Sequence, residues 1–204
     1  HPASDELLVS VSGVRGPSQL HTVAAGREPR AWTQPGGTEG LDLAQLPEQQ
    51  VVRWKSFDGR TISGLLSMPP ERFGGRRPVV MMVHGGPEGQ SKLGWQGRLN
   101  HLVQELGIAV LHPNVRGSTG YGKTFVSLDN GRLREDSVKD MGAAIDWIAT
   151  QPRLDASRVV VMGGSYGGYM ALAASTLLAD RIAGAASSVG ISNFISFLEN
   201  TETY

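Results

Sequence analysis

Ser165 lies in the string Gly163-Gly164-Ser165-Tyr166-Gly167-Gly168, with one glycine two residues before it and another two residues after. That is the G-x-S-x-G spacing of a serine nucleophile held on a sharp strand-to-helix turn. The chemistry asks for small neighbours. So tight a turn brings two backbones together, and Gly163 and Gly167 leave the room, with Gly164 completing the turn. The flanks agree: Arg158 to Met162 reads as a strand, and Tyr169 onward as a helix. A helix beginning here supplies unpaired backbone N–H groups and the positive end of a dipole, both useful to a developing oxyanion. The bland alternative is an ordinary glycine-rich turn, and the two flanks favour the nucleophile.

A second string, His84-Gly85-Gly86-Pro87, closes the apolar run Pro78 to Val83. In the α/β-hydrolase arrangement a loop of this type follows the third strand and carries one oxyanion donor. The N–H of Gly85 or Gly86 would join that of Tyr166 in an oxyanion hole. A rival motif is Gly117-Ser118-Thr119-Gly120-Tyr121-Gly122-Lys123-Thr124, which matches the phosphate-binding pattern G-x-x-x-x-G-K-[ST]. That chemistry needs a strand running straight in and a helix running straight out. Here Pro113 to Arg116 intervene before the loop, and Asn130-Gly131 closes off a short segment after it. A glycine-rich surface loop is the expected outcome.

The base is harder to find. All five histidines, His1, His21, His84, His101 and His112, precede Ser165. The triad order in this class is Ser, then Asp or Glu, then His. The acid and the base are therefore expected beyond Tyr204. His84 would come near Ser165 only on the oxyanion side, where a base lacks an orienting partner. His101 and His112 read as a helix residue and a strand-end residue, without metal-ligand spacing.

Around these residues the chain alternates short apolar strands with helices, the pattern of a parallel sheet covered on both faces. Val138, Met141, Ile145 and Ile148 recur at helical spacing and predict an amphipathic helix near 134–150. Ile108 to Leu111, Val159 to Met162 and Ala183 to Val189 predict strands, and 97–106 a helix. Gln50 to Ser56 and Thr61 to Ser67 predict a hairpin about Asp58-Gly59. Residues 1–24 read as two further short strands, 25–47 as a Gly-, Pro- and Gln-rich linker, and 48–204 as the main domain. The 204 residues carry 19 Lys+Arg and 19 Asp+Glu, a balance that argues against nucleic acid and against a membrane surface. Hydrophobic residues at 40% suffice for a core. Cysteine is absent, which removes disulfides, thiolate metal sites and a Cys nucleophile. No metal or organic cofactor is expected. The chain starts at His1 without an initiator Met or a signal-peptide pattern, and reads as a piece of something longer.

From about residue 50 onward the sequence resembles the prolyl oligopeptidase family of serine peptidases, particularly its acylaminoacyl-peptidase and dipeptidyl-peptidase-like members. The matching strings are Ser56-Phe57-Asp58-Gly59, Val83-His84-Gly85-Gly86-Pro87, Asn114 to Gly122, Arg132-Leu133-Arg134-Glu135-Asp136, and Gly163 to Met170. The resemblance implies the N-terminal half of an α/β-hydrolase catalytic domain, with residues 1–24 as the last strands of a β-propeller. It implies Ser165 as nucleophile and Tyr166 with Gly85 or Gly86 as oxyanion donors. Phe194 and Phe197 would line the substrate pocket, and short peptides would be the substrates. A carboxylesterase and an inactive hydrolase-fold interaction module are the alternatives. The sheet would keep an open edge after residue 189, so a complementary chain or a second copy could complete it.

Overall fold

The computed structural model describes residues 5–38, 40 and 42–201. His1 therefore lies outside the described residues. Strands β1 (Leu7–Gly13), β2 (Gly16–Val23) and β3 (Arg30–Ala31) form a small antiparallel ribbon. It buries little: Leu7 and Leu8 are each 65% exposed. The stretch read as a linker contributes β3, which pairs with His21 and Thr22 of β2.

The main sheet has six strands. In chain order they are β4 (Gln49–Lys55), β5 (Thr61–Ser67), β6 (Arg77–Val83), β7 (Ala109–Asn114), β8 (Leu154–Gly164) and β9 (Gly184–Ser188). Their order across the sheet is β4-β5-β7-β6-β8-β9. The β4–β5 and β5–β7 pairs are antiparallel, and from β7 to β9 all pairs are parallel. Between the strands run α1 (Leu99–Gln104), α2 (Lys123–Val126), α3 (Asp136–Thr150) and α4 (Tyr166–Leu177), with α5 (Phe194–Glu199) after β9.

The strand alternation sorts the core. Val79, Met81, Val83, Leu111, Val159 and Val161 point to one face, where Val138, Met141, Ile145 and Ile148 of α3 and Met170 of α4 meet them. Val80 and Val110 point to the other face, against Val103 of α1. Each such side chain contributes about 2 kcal/mol on burial. The expected α/β-hydrolase architecture is the one that forms. Its central strands are apolar on both faces because helices cover both.

Two helix boundaries differ from the sequence reading. Helix α4 begins at Tyr166 rather than Tyr169, because Gly167 and Gly168 form its first turn instead of preceding it. Helix α1 is the shorter Leu99–Gln104. Among the described residues no helix is long and apolar enough to cross a membrane.

A polar clamp ties the hairpin tip to this core. The Arg116 guanidinium, 3% exposed, donates to both oxygens of the fully buried Asp140, at 2.8 and 3.0 Å. It also reaches Asp58 at 3.2 and 3.3 Å and stacks over Phe57. Ser56 Oγ donates to Asp140 Oδ1 at 2.5 Å. A buried ion pair survives only when its remaining lone pairs are met. Here three elements meet them: the β4–β5 turn, the end of β7 and α3.

Candidate active site

Strand β8 ends at Gly164 and α4 starts at Tyr166, so Ser165 is the whole connection. Its backbone sits at φ 56°, ψ −121°, a region a side chain rarely occupies. Such strain costs about 1–3 kcal/mol and persists only where the surroundings dictate it. The surroundings are tight. A Cβ on Gly163 would lie 2.5 Å from Gly167 backbone, and one on Gly167 would collide with Val83 O. One on Gly168 would fall 2.7 Å from Gly190 Cα. Ser165 N–H donates to Ser188 O at 3.0 Å, and Ser165 O accepts from Tyr169 N–H at 3.1 Å. The side chain is left exposed, and among the described residues nothing hydrogen-bonds Ser165 Oγ. The strand-to-helix turn is thus built around an accessible hydroxyl.

Two groups of backbone donors lie beside it. Tyr166 is the first residue of α4, where the helix offers its N–H no carbonyl. Gly85 follows β6, the third strand of the main sheet, and a Cβ on it would be 3.5 Å from Ser165 Cβ. Gly86 has φ 133°, and a Cβ there would strike Glu88 N at 2.5 Å, so only glycine fits. The structure therefore brings Ser165, Tyr166, Gly85 and Gly86 together at the C-terminal edge of β6 and β8.

Each donor is held by partners absent from the sequence reading. Tyr166 turns its ring under α4, where its hydroxyl donates to Asp129 Oδ2 at 3.1 Å and lies 2.9 Å from Ser137 Oγ. Burial raises the Tyr166 phenol well above its ordinary range, so it stays a donor. Burial also raises Asp129, against the pull of its ion-pair partner Arg134 and of the Tyr166 hydrogen bond. The Gly85–Gly86 loop is braced from the side by the loop after β7. Asn114 accepts from Ser91 N–H at 2.7 Å and donates to Ser91 O at 3.0 Å. Thr119 N–H donates to Gly89 O at 2.8 Å. The string Asn114 to Gly122 was the available signal for this brace, without its partners.

His84 occupies neither a base nor a metal position. Its Nδ1 is 2.7 Å from Gly85 O and its Nε2 is 2.8 Å from Ser118 Oγ. Both ring nitrogens are thus engaged within this brace. Burial lowers its pKa from the ordinary value, with the Gly85 contact partly opposing. Among the described residues no three His, Asp or Glu side chains converge as a metal site would. Phe194 and Phe197 stand on α5, beyond β9. Phe194 packs edge-on to Tyr169 at 4.8 Å, and Phe197 lies 6.4 Å from Phe194, with one side open. The aromatic contacts continue from Tyr169 to Tyr166, so this row reaches the elbow through α4.

The pattern of the prolyl oligopeptidase family matches residues 96–204, a little over half of the chain and the part that holds the elbow. The chain belongs to the prolyl oligopeptidase family. It is 34% identical over 171 residues to dipeptidyl aminopeptidase BIII of Pseudoxanthomonas mexicana, covering 80% of this chain and 25% of that protein. A puromycin-hydrolyzing peptidase of Mycobacterium tuberculosis shares the fold with a TM-score of 0.87 and 26% identity, over 98% of this chain and 31% of that one. The acylaminoacyl peptidase of Pyrococcus horikoshii gives a TM-score of 0.81 at 26% identity, over 95% of this chain and 31% of that one. The family chain described here thus spans about a quarter of the length of such a curated relative.

Proposed function

We propose that this chain supplies the nucleophile and the oxyanion hole of a serine peptidase acting on short peptides. The observation that carries the reading is the exposed Ser165, held at φ 56° between a strand and a helix with Gly85 against it. Ser165 Oγ attacks the scissile carbonyl, and the Tyr166 and Gly86 amides receive the charge that develops on its oxygen. Water then resolves the acyl-enzyme. A hydroxyl needs a base to become a nucleophile at neutral pH. His84 is turned to Gly85 and Ser118, so the base and its acid are assigned to residues outside these 204. The ribbon β1–β3 is assigned to a propeller edge that would restrict entry to peptides, with residues 48–204 as catalytic domain. Peptide as substrate is supported by the three relatives above, each of which is named as a peptidase.

The test is reaction with a fluorophosphonate, read by intact mass and peptide mapping. The expected result is one adduct, on Ser165, in the enzyme that carries the complete triad, and none in Ser165→Ala. The alanine variant should lose at least about 10³-fold in kcat on a peptide amide, since attack by the hydroxyl is the step removed. An adduct on another residue, or amide turnover that survives in Ser165→Ala, overturns the reading.

A further inference from the structure

The segment that matches the phosphate-loop pattern has no task in the chemistry above, yet it lies against the loop that carries Gly86. Ser118 is fully buried, and its Oγ sits 2.8 Å from His84 Nε2. Gly120, at φ 89°, lies against the side-chain amide of Gln90. The His84 ring connects this brace to the donor. Its Nδ1 is 2.7 Å from Gly85 O, and a carbonyl only accepts, so Nδ1 carries a proton. Burial favours the neutral ring. Nε2 is then bare and can accept from Ser118 O–H. The Gly85–Gly86 peptide is trans, whereas Gly86–Pro87 is cis. In a planar trans peptide the C=O and the N–H point in opposite directions. Tethering Gly85 O to the imidazole therefore fixes the aim of Gly86 N–H on the far side of that plane.

We propose that Ser118 is a positioning residue acting through His84. Its hydroxyl holds the imidazole as the Nδ1–H tautomer, and the imidazole sets the Gly85–Gly86 peptide so that Gly86 N–H meets the oxyanion formed at Ser165. The inference rests on Ser165 as nucleophile and Gly86 as donor. Val115 O lies 2.6 Å from the same hydroxyl and competes for its proton. Val115 O still has the Ser118 N–H, at 3.1 Å, when that proton turns to His84. Both carbonyl and ring are therefore satisfied in the proposed state. Without the hydroxyl, Nε2 faces no donor in a buried site, and the ring loses the contact that fixes its angle.

The experiment uses the intact enzyme that carries this chain, with active sites counted by fluorophosphonate titration. Ser118→Ala is expected to lower kcat per titrated site roughly tenfold while KM moves less than twofold, because the donor acts on the transition state. Ser118→Thr keeps the hydroxyl and should return kcat to within about threefold of wild type. A merely structural serine would lose sites or melting temperature and keep the wild-type kcat at each surviving site. That outcome overturns the proposal. Nitrogen NMR on histidine-labelled wild type gives a reading independent of turnover: His84 should carry its proton on Nδ1 at neutral pH. A proton on Nε2 overturns the proposal even if no variant folds. Absence of any adduct on wild-type Ser165 would overturn the proposed function and this inference together. An adduct there with unchanged Ser118→Ala kinetics would overturn this inference alone.

Discussion

The loop at 163–168 leaves β8 and enters α4 with a single residue between them, whereas the loop at 117–124 leaves β7 through Val115 and Arg116 and runs into a helix of four residues. Both strings satisfy a chemical motif. In the first, the glycines are packed against backbone: Gly163 on Gly167, Gly167 on Val83 O, Gly168 on Gly190. In the second they permit positive φ, at 93°, 89° and 91° for Gly117, Gly120 and Gly122. The first loop lifts one hydroxyl out of a crowded junction. The second wraps its own polar groups around a neighbouring loop, through Ser118, Thr119 and the adjoining Asn114. A motif acquires its chemistry from what its glycines are needed for, and close backbone contact differs from conformational freedom.

Alanine replacement separates the two needs. Gly167→Ala should destabilise the protein by about 3 kcal/mol or more, because its Cβ meets the Val83 carbonyl oxygen, which no rotamer can move. Gly122→Ala meets nothing within 4 Å among the described residues and should lose only the cost of its positive φ, about 1–3 kcal/mol. Urea unfolding of the two variants measures the contrast. Equal losses would mean that the elbow is not held by backbone crowding.

Much of this was legible in the residues. The strands β6, β7 and β8 are apolar runs, and α3 announces itself by Val138, Met141, Ile145 and Ile148 on one stripe. The elbow was readable because everything it needs is local. The start of α4 was not, since Gly167 and Gly168 look like a turn until Val83 O and Gly190 come against them. The brace was not readable either. Asn114 and Ser91 are 23 residues apart, and His84 and Ser118 are 34 apart. Those contacts exist because β7 lies beside β6, an adjacency that strand patterning does not reveal. The Arg116 clamp depends on the other neighbour of β7, β5, whose turn with β4 carries Asp58, and on α3, which carries Asp140. Family likeness pointed to these strings but supplied no partner for any of them.

The second loop's partner His84 has a buried histidine of β7, His112, near it, and pH tests that pairing. Burial lowers the His112 pKa from 6.5 to about 4, with His84 nearby adding to it, and among the described residues its buried Nε2 has no partner. The folded state therefore holds the neutral ring. Above pH 6.5 both folded and unfolded His112 are neutral, and stability is full. Between pH 6.5 and about 4 the unfolded chain binds the proton first, so stability falls as pH falls. Below about 4 the folded ring is protonated too, and the loss levels off. The full loss is about 3 kcal/mol. His112→Gln should lack this component, so its unfolding free energy should drop less across the window. Parallel curves would show that His112 is solvated.

The smallest expected effect concerns the phosphate pattern itself. Lys123 opens α2, a helix of only four residues, and its side chain is exposed. A phosphate loop needs its lysine and the backbone N–H groups of a following helix aimed into one concavity. Here Gly117 N–H is given to Phe125 O, Ser118 N–H to Val115 O and Thr119 N–H to Gly89 O, so three amides of this loop are spent on protein. ATP with Mg²⁺ should therefore leave the melting temperature unchanged, because a ligand of the folded state alone must stabilise it. Lys123→Ala should change stability by less than about 0.5 kcal/mol, as changes at exposed side chains usually do. A melting temperature that rises with ATP in wild type and not in Lys123→Ala would turn the comparison around. It would make the second loop a binding site, and its contacts with Ser118 and Thr119 would have to open to admit the ligand.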